Sequence, residues 1–125
     1  PFKLAVDASD IGAGSVLLQA DDDGVEHPIA YFSKKFNCHQ KNYSTVEKET
    51  LALVLAVEHF DVYISSSMYP VTVYTDHNPL VFLGKMKNKN RRLLSWSLML
   101  QEYILDIKHI RGVDNVCADA LSRAM

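Results

Sequence analysis

The chain has 125 residues, 48% of them hydrophobic and 22% charged, a balance that fits one folded domain and excludes a disordered tail, a fibre or a low-complexity linker. The net charge of −2 carries no general signature of a nucleic-acid partner, yet five of the 13 basic residues and none of the 15 acids fall within 85–92. The longest apolar run, Leu51 to Val57, is far short of the roughly 20 residues that cross a membrane, and the start carries no signal-like segment. These features predict no membrane partner and an intracellular domain, cut from a longer polypeptide because the initiator Met is absent.

Phe2, Leu4 and Val6 alternate with Lys3, Ala5 and Asp7, which predicts a first strand with Asp7 at its end, stopped by Ser9-Asp10-Ile11-Gly12. A second strand is expected over Ser15 to Gln19 and a third over Val25 to Phe32, with the turn Asp21-Asp22-Asp23-Gly24 between them. Ser44-Thr45-Val46-Glu47 is a capping box that opens a helix to about Val62, apolar on most sides. Val71 to Thr75 reads as a buried strand ending at Asp76. A short helix over Pro79 to Leu83, the basic loop, and a helix from Arg91 towards Gln101 capped by Asn90 follow. Tyr103 to Ile110 alternates as a half-exposed strand, and Asp114 or Asn115 caps a last helix through Arg123. The order predicts an α/β fold, with an antiparallel meander joined to helix-linked parallel strands in one mixed sheet flanked by helices.

Cys38 and Cys117 have neither CxxC spacing nor paired histidines, so they are expected to be free, buried thiols rather than a zinc site or a disulfide. Four acids stand out by position. Asp7 and Asp76 end apolar strands, while Glu49 and Asp119 lie in the early turns of helices. Singly, each has an ordinary explanation as a carboxylate bonding local amides at a strand end or helix start. Together they belong where strand ends and helix starts converge in an α/β sheet. Clustered carboxylates repel one another unless cations are supplied, and hard oxygen donors select Mg²⁺ or Mn²⁺. Two such ions about 4 Å apart serve in-line displacement at phosphorus.

Asp7-Ala8-Ser9-Asp10-Ile11-Gly12-Ala13-Gly14, His27-Pro28-Ile29-Ala30-Tyr31-Phe32-Ser33, Asn42-Tyr43-Ser44, Glu47-Lys48-Glu49, Thr75-Asp76-His77 and the stretch Gly112-Val113-Asp114-Asn115-Val116-Cys117-Ala118-Asp119-Ala120-Leu121-Ser122-Arg123 occur in this order. In that combination, over nearly the whole chain, the sequence resembles the ribonuclease H domain of gypsy-type LTR-retrotransposon reverse transcriptases. The resemblance implies a five-stranded ribonuclease H fold over 1–125 that lies beside a polymerase and connection region in a polyprotein, in the cytoplasm or in virus-like particles.

It implies catalytic, metal-binding carboxylates at Asp7, Glu49, Asp76 and Asp119. Glu47 competes with Glu49 on the same helix but already has the capping-box role. His109 precedes Asp119 at a spacing similar to the mobile histidine of retroviral relatives, which makes it a candidate proton shuttle, a strand-end packing role being the alternative. Asn78 resembles a substrate-contacting amide, or else caps the helix before Pro79. Lys85, Lys87, Lys89, Arg91 and Arg92 are candidates to track a nucleic-acid backbone, or else form a solvated loop. The expected function is two-metal hydrolysis of the RNA strand of RNA–DNA hybrids. Its rival is a catalytically silent module of the same fold that binds nucleic acid or protein.

Overall fold

The computed structural model describes residues 2–75 and 91–109. Three strands follow from the alternating N-terminal segments: β1 (Phe2–Ala8), β2 (Gly12–Ala20) and β3 (Glu26–Lys35). They pair antiparallel in sequence order, with Asp7 opposite Gly14 and Val16 opposite Tyr31. The β2–β3 turn is closed by Asp21, whose Oδ1 accepts from the amides of Asp23 and Val25, and by Gly24 at φ +81°, a left-handed conformation that glycine adopts at no steric cost. A bulge at Leu17/Leu18 shifts the register opposite Pro28, whose missing N–H suits an edge strand.

After β3 come a short helix α1 (Cys38–Lys41), the long helix α2 (Thr45–His59) and a further turn, α3 (Asp61–Ser65). The expected capping box opens α2: the Ser44 hydroxyl accepts from the Glu47 amide at 3.2 Å, and Glu47 Oε1 accepts from the Ser44 amide at 3.1 Å. Strand β4 (Val71–Thr75) occupies the interval its β-branched sequence predicts, and α4 (Arg91–Leu100) and β5 (Leu105–His109) complete the described chain. The sheet order is β3-β2-β1-β4-β5, with β1, β4 and β5 mutually parallel. This is the five-stranded mixed α/β sheet that the element order predicts.

The main core joins Leu4 and Val6 of β1, Leu17 of β2 and Val71 and Val73 of β4 to Leu53, Val54, Ala56 and Val57 of α2, with Phe60 beyond its end. Alternation therefore turns Phe2, Leu4 and Val6 toward α2 and Lys3, Ala5 and Asp7 to the opposite face. Helix α4 lays Leu93, Trp96 and Leu100 inward, the i, i+3, i+7 spacing of a core-facing stripe. Each buried aliphatic side chain here contributes about 1.5–3 kcal/mol relative to exposure.

Some expected boundaries move. Helix α2 ends at His59 rather than near Val62, because the chain turns at Phe60 and restarts at Asp61. Strand β2 begins at Gly12 and β3 runs on to Lys35, since Gly12 and Lys35 pair with each other. Helix α4 stops at Leu100 and β5 starts at Leu105. Cys38 is exposed rather than buried, because it starts α1, a helix with no buried residue. Cys117, the Pro79–Leu83 segment, the Asn90 cap and the last helix lie outside the described residues.

The Tyr103 hydroxyl, just before β5, donates to Asp61 Oδ1 at 2.6 Å, and the Ser65 hydroxyl donates to the same oxygen at 2.7 Å. The Tyr103 bond, then the Ser65 bond, holds the Asp61 carboxyl below its ordinary value against a small opposing effect of burial. Donation to Asp61 pushes the Tyr103 hydroxyl up to about 12. A depressed acid stabilises above its unfolded value and loses that contribution as pH falls through its folded value. A raised phenol stabilises fully below its ordinary value of 10.0 and loses that contribution as pH rises toward about 12. Tyr103→Phe is accordingly expected to lower the urea midpoint at neutral pH by roughly half a molar. The gap to the parent should shrink above about pH 10 and again in acid. Equal midpoints at pH 7 would refute a stabilising role for this bond.

Candidate active site

The three parallel strands end along one edge of the sheet, at Ala8, Thr75 and His109, and such carboxyl-end edges are where open α/β sheets place their ligand crevices. Ala5, Tyr74 and Lys108 stand at one level across β1, β4 and β5, so Asp7 and His109 lie within two residues of that level. Two strand spacings, about 10 Å, separate them laterally.

Asp7 is 2% exposed and sits one residue before the end of β1. Glu49 is 8% exposed and sits in the second turn of α2, beside the buried Leu51 and Ala52 that pack on Ala8. A cleft of about 160 Å³ opens between these elements, lined by Ala8, Ser9, Asp10, Thr45, Lys48 and Glu49. Glu49 thus stands over the end of β1 from the α2 side, while Asp7 is the residue immediately before the cleft wall and does not line it. The Ser9 hydroxyl builds the rim: it accepts from the Ile11 and Gly12 amides at 3.3 and 3.2 Å, a tight local turn that leaves Asp10 fully exposed at its tip. Lys48 Nζ lies 3.6 Å from Asp10 Oδ1.

Glu47, the competing acid on α2, is occupied elsewhere. Besides the capping bond, its Oε2 accepts from the Arg92 guanidinium of α4, and that guanidinium lies 4.0 Å from the centre of the Tyr43 ring. Burial raises the Glu47 carboxyl, but the Ser44 amide, Arg92 and the Ser44 hydroxyl outweigh it, and the net shift is downward. Glu47, Arg92 and Tyr43 therefore act as a clamp between α2 and α4, leaving Glu49 as the acid of this helix that faces the cleft. Arg92, counted with the basic segment from sequence, is exposed like its neighbour Arg91, but its head group is engaged by Glu47 and Tyr43.

His109, the last residue of β5, pairs in register with Thr75 and is exposed rather than packed in the core beside Ile107. Asp76 follows Thr75 in the sequence. Asp76, Asn78, Lys85, Lys87, Lys89 and Asp119 lie outside the described residues. Among the described residues no three His, Cys, Asp or Glu side chains form a metal site. The two candidate ligands that are described fit a hard divalent cation by their chemistry: both are carboxylates withdrawn from water, and among the described residues neither thiol nor imidazole lines the cleft. The cleft residues Ser9, Asp10, Thr45 and Lys48 escape a sequence reading, because nothing in their spacing pairs the β1–β2 turn with the start of α2.

A family model described as an RNase H-like domain found in reverse transcriptase matches residues 1–103. The chain is 42% identical over 123 residues, 98% of its length, to the retrovirus-related Pol polyprotein from transposon opus of Drosophila melanogaster. It is 40% identical over 124 residues to the transposon Tf2-3 polyprotein of Schizosaccharomyces pombe, covering 96% of this chain. It spans only 12% and 9% of those two relatives. Among solved structures, LC11-RNase H1 in complex with RNA/DNA hybrid superposes with a TM-score of 0.70 at 18% identity, over 97% of this chain and 93% of that one. RNase H1 from Halobacterium salinarum gives 0.65 at 16% identity over 96% and 91%. The foamy viral protease-reverse transcriptase in complex with dsDNA gives 0.68 at 20% identity over 89% of this chain and 23% of that one. These structural likenesses establish the shared fold.

Proposed function

The chain belongs to the RNase H-like domains found in reverse transcriptase, and from that premise we propose that it hydrolyses the RNA strand of RNA–DNA hybrids with divalent metal ions, beside a polymerase in a longer polyprotein. The observation that carries the proposal is the pair of buried carboxylates, Asp7 and Glu49, that flank the carboxyl end of β1 at the edge where β4 and β5 also end. Two withdrawn carboxylates at one strand end are costly for folding alone and suited to holding a cation. The relatives are retroelement polyproteins and a structural neighbour holds an RNA/DNA hybrid, which supports the substrate class.

Asp7 and Glu49, with Asp76 and Asp119 beyond the described residues, would hold two Mg²⁺, or Mn²⁺ in their place. Bound there, the ions supply Lewis-acid activation of water and stabilisation of the leaving oxygen. His109 moves a proton at the leaving group from its exposed place on the same sheet edge. Asn78 contacts the substrate, and Lys85, Lys87, Lys89 and Arg91 track its phosphates. Selectivity for the hybrid rests on its shape and its 2′-hydroxyls rather than on base edges.

The deciding experiment is incubation of the chain with an end-labelled RNA–DNA hybrid in Mg²⁺, Mn²⁺ or EDTA. RNA-strand cleavage with either metal and none in EDTA is expected; binding without cleavage under all three conditions would assign the chain to a catalytically silent module instead. Neutralising Lys87, Lys89 and Arg91 together is expected to weaken hybrid binding and to flatten its log–log salt dependence by up to about three units. Arg92 is left intact in that variant because it secures Glu47. An unchanged slope would return the segment to ordinary solvated surface.

A further inference from the structure

We infer that Lys48 is a further substrate-positioning residue of this site, its ammonium binding a backbone phosphate of the hybrid next to the bond that is cut; the inference rests on the function proposed above. Lysine is among the residues least often withdrawn from solvent. The Lys48 side chain is nevertheless only 12% exposed, whereas Lys34, Lys35 and Lys41 around it in sequence are exposed. Its side chain is largely packed, and the residue lines the same cleft as Glu49, the next residue on α2.

Its contact with Asp10 does not account for that placement. At 3.6 Å the pair is an ionic contact longer than a hydrogen bond. Because Asp10 is fully solvated, the pair is screened and contributes little to stability. Lys48 thus lines the cleft with its ammonium not hydrogen-bonded to that carboxylate. Among the described residues that line the cleft it is the one cation, beside two acids that a polyanion would otherwise meet alone. An ammonium acts as a compact point charge for phosphate oxygens. On the helix turn that carries Glu49, the phosphate in reach belongs to the substrate backbone at the reacting centre.

The test compares the 125-residue chain with its Lys48→Met and Lys48→Arg variants. Steady-state cleavage in Mg²⁺ is paired with anisotropy of a fluorescent hybrid in EDTA over a salt series and with melting curves. Lys48→Met is expected to raise KM and the metal-free Kd about tenfold and to reduce the log–log salt slope by about one unit, with kcat falling less than about threefold. Lys48→Arg should recover most of the affinity, and the melting temperatures should stay within a few degrees. A Lys48→Met protein with the parent's KM, Kd and slope overturns the inference, as does one that loses only thermal stability. If the parent chain neither binds nor cleaves the hybrid, the proposed function fails; if it does both and Lys48→Met matches it, the Lys48 assignment alone fails.

Discussion

Asp7→Asn is expected to reduce metal-dependent cleavage of the hybrid by at least about 10³-fold, equivalent to roughly 4 kcal/mol of lost transition-state stabilisation. The amide keeps the size and burial of the side chain at the end of β1 but removes the negative charge that binds the cation. The same change removes a charge from a position 2% exposed, where a carboxylate is costly to desolvate. In EDTA the variant should therefore melt at the parent's temperature or higher. Added Mn²⁺ should raise the melting point of the parent, because a ligand that binds only the folded state stabilises it, and should do so less for Asp7→Asn. Cleavage close to the parental rate would remove Asp7 from the metal-binding set. A collapse of the fold in EDTA would show that its carboxylate is chiefly structural.

Asp7 and Glu49 stand out in the amino-acid sequence while their neighbours in the cleft do not, and the difference follows from the range of the signals. Alternation in Phe2 to Asp7 and the β-branched run Val71–Thr75 are local patterns whose period survives in the folded sheet. The Ser44–Glu47 box is also local, and it forms as its spacing predicts. Other features are settled over long range. Glycines at 12 and 14 read as a break, yet pairing with β1 and β3 draws them into β2. Helix α1 has its own capping box between Asn37 and Gln40 but no apolar period to announce it. The turn at Phe60 lacks proline or glycine, and the apolar pattern continues through it. Likewise the Arg92–Glu47 and Lys48–Asp10 contacts join segments far apart in sequence, so only the packing of α4 and of the β1–β2 turn on α2 creates them.

His109→Ala is expected to lower turnover about 10²-fold, within the range of a positioned general acid or base, while hybrid affinity stays nearly constant. Two structural facts separate this outcome from a packing defect. His109 ends β5 beside Thr75, on the sheet edge where Asp7 and the start of α2 also lie, so an imidazole there is placed for proton exchange near the cleft. It is also exposed, and removal of an exposed side chain usually changes stability by no more than about 0.5 kcal/mol. Single-turnover cleavage at saturating enzyme, with a melting curve of the same preparation, reads both quantities. Slow cleavage with an unchanged melting point assigns the proton-transfer role. A variant that melts early but cleaves at the parental rate per folded molecule would make His109 a strand-end support for β5, and the leaving group would then have to take its proton from solvent.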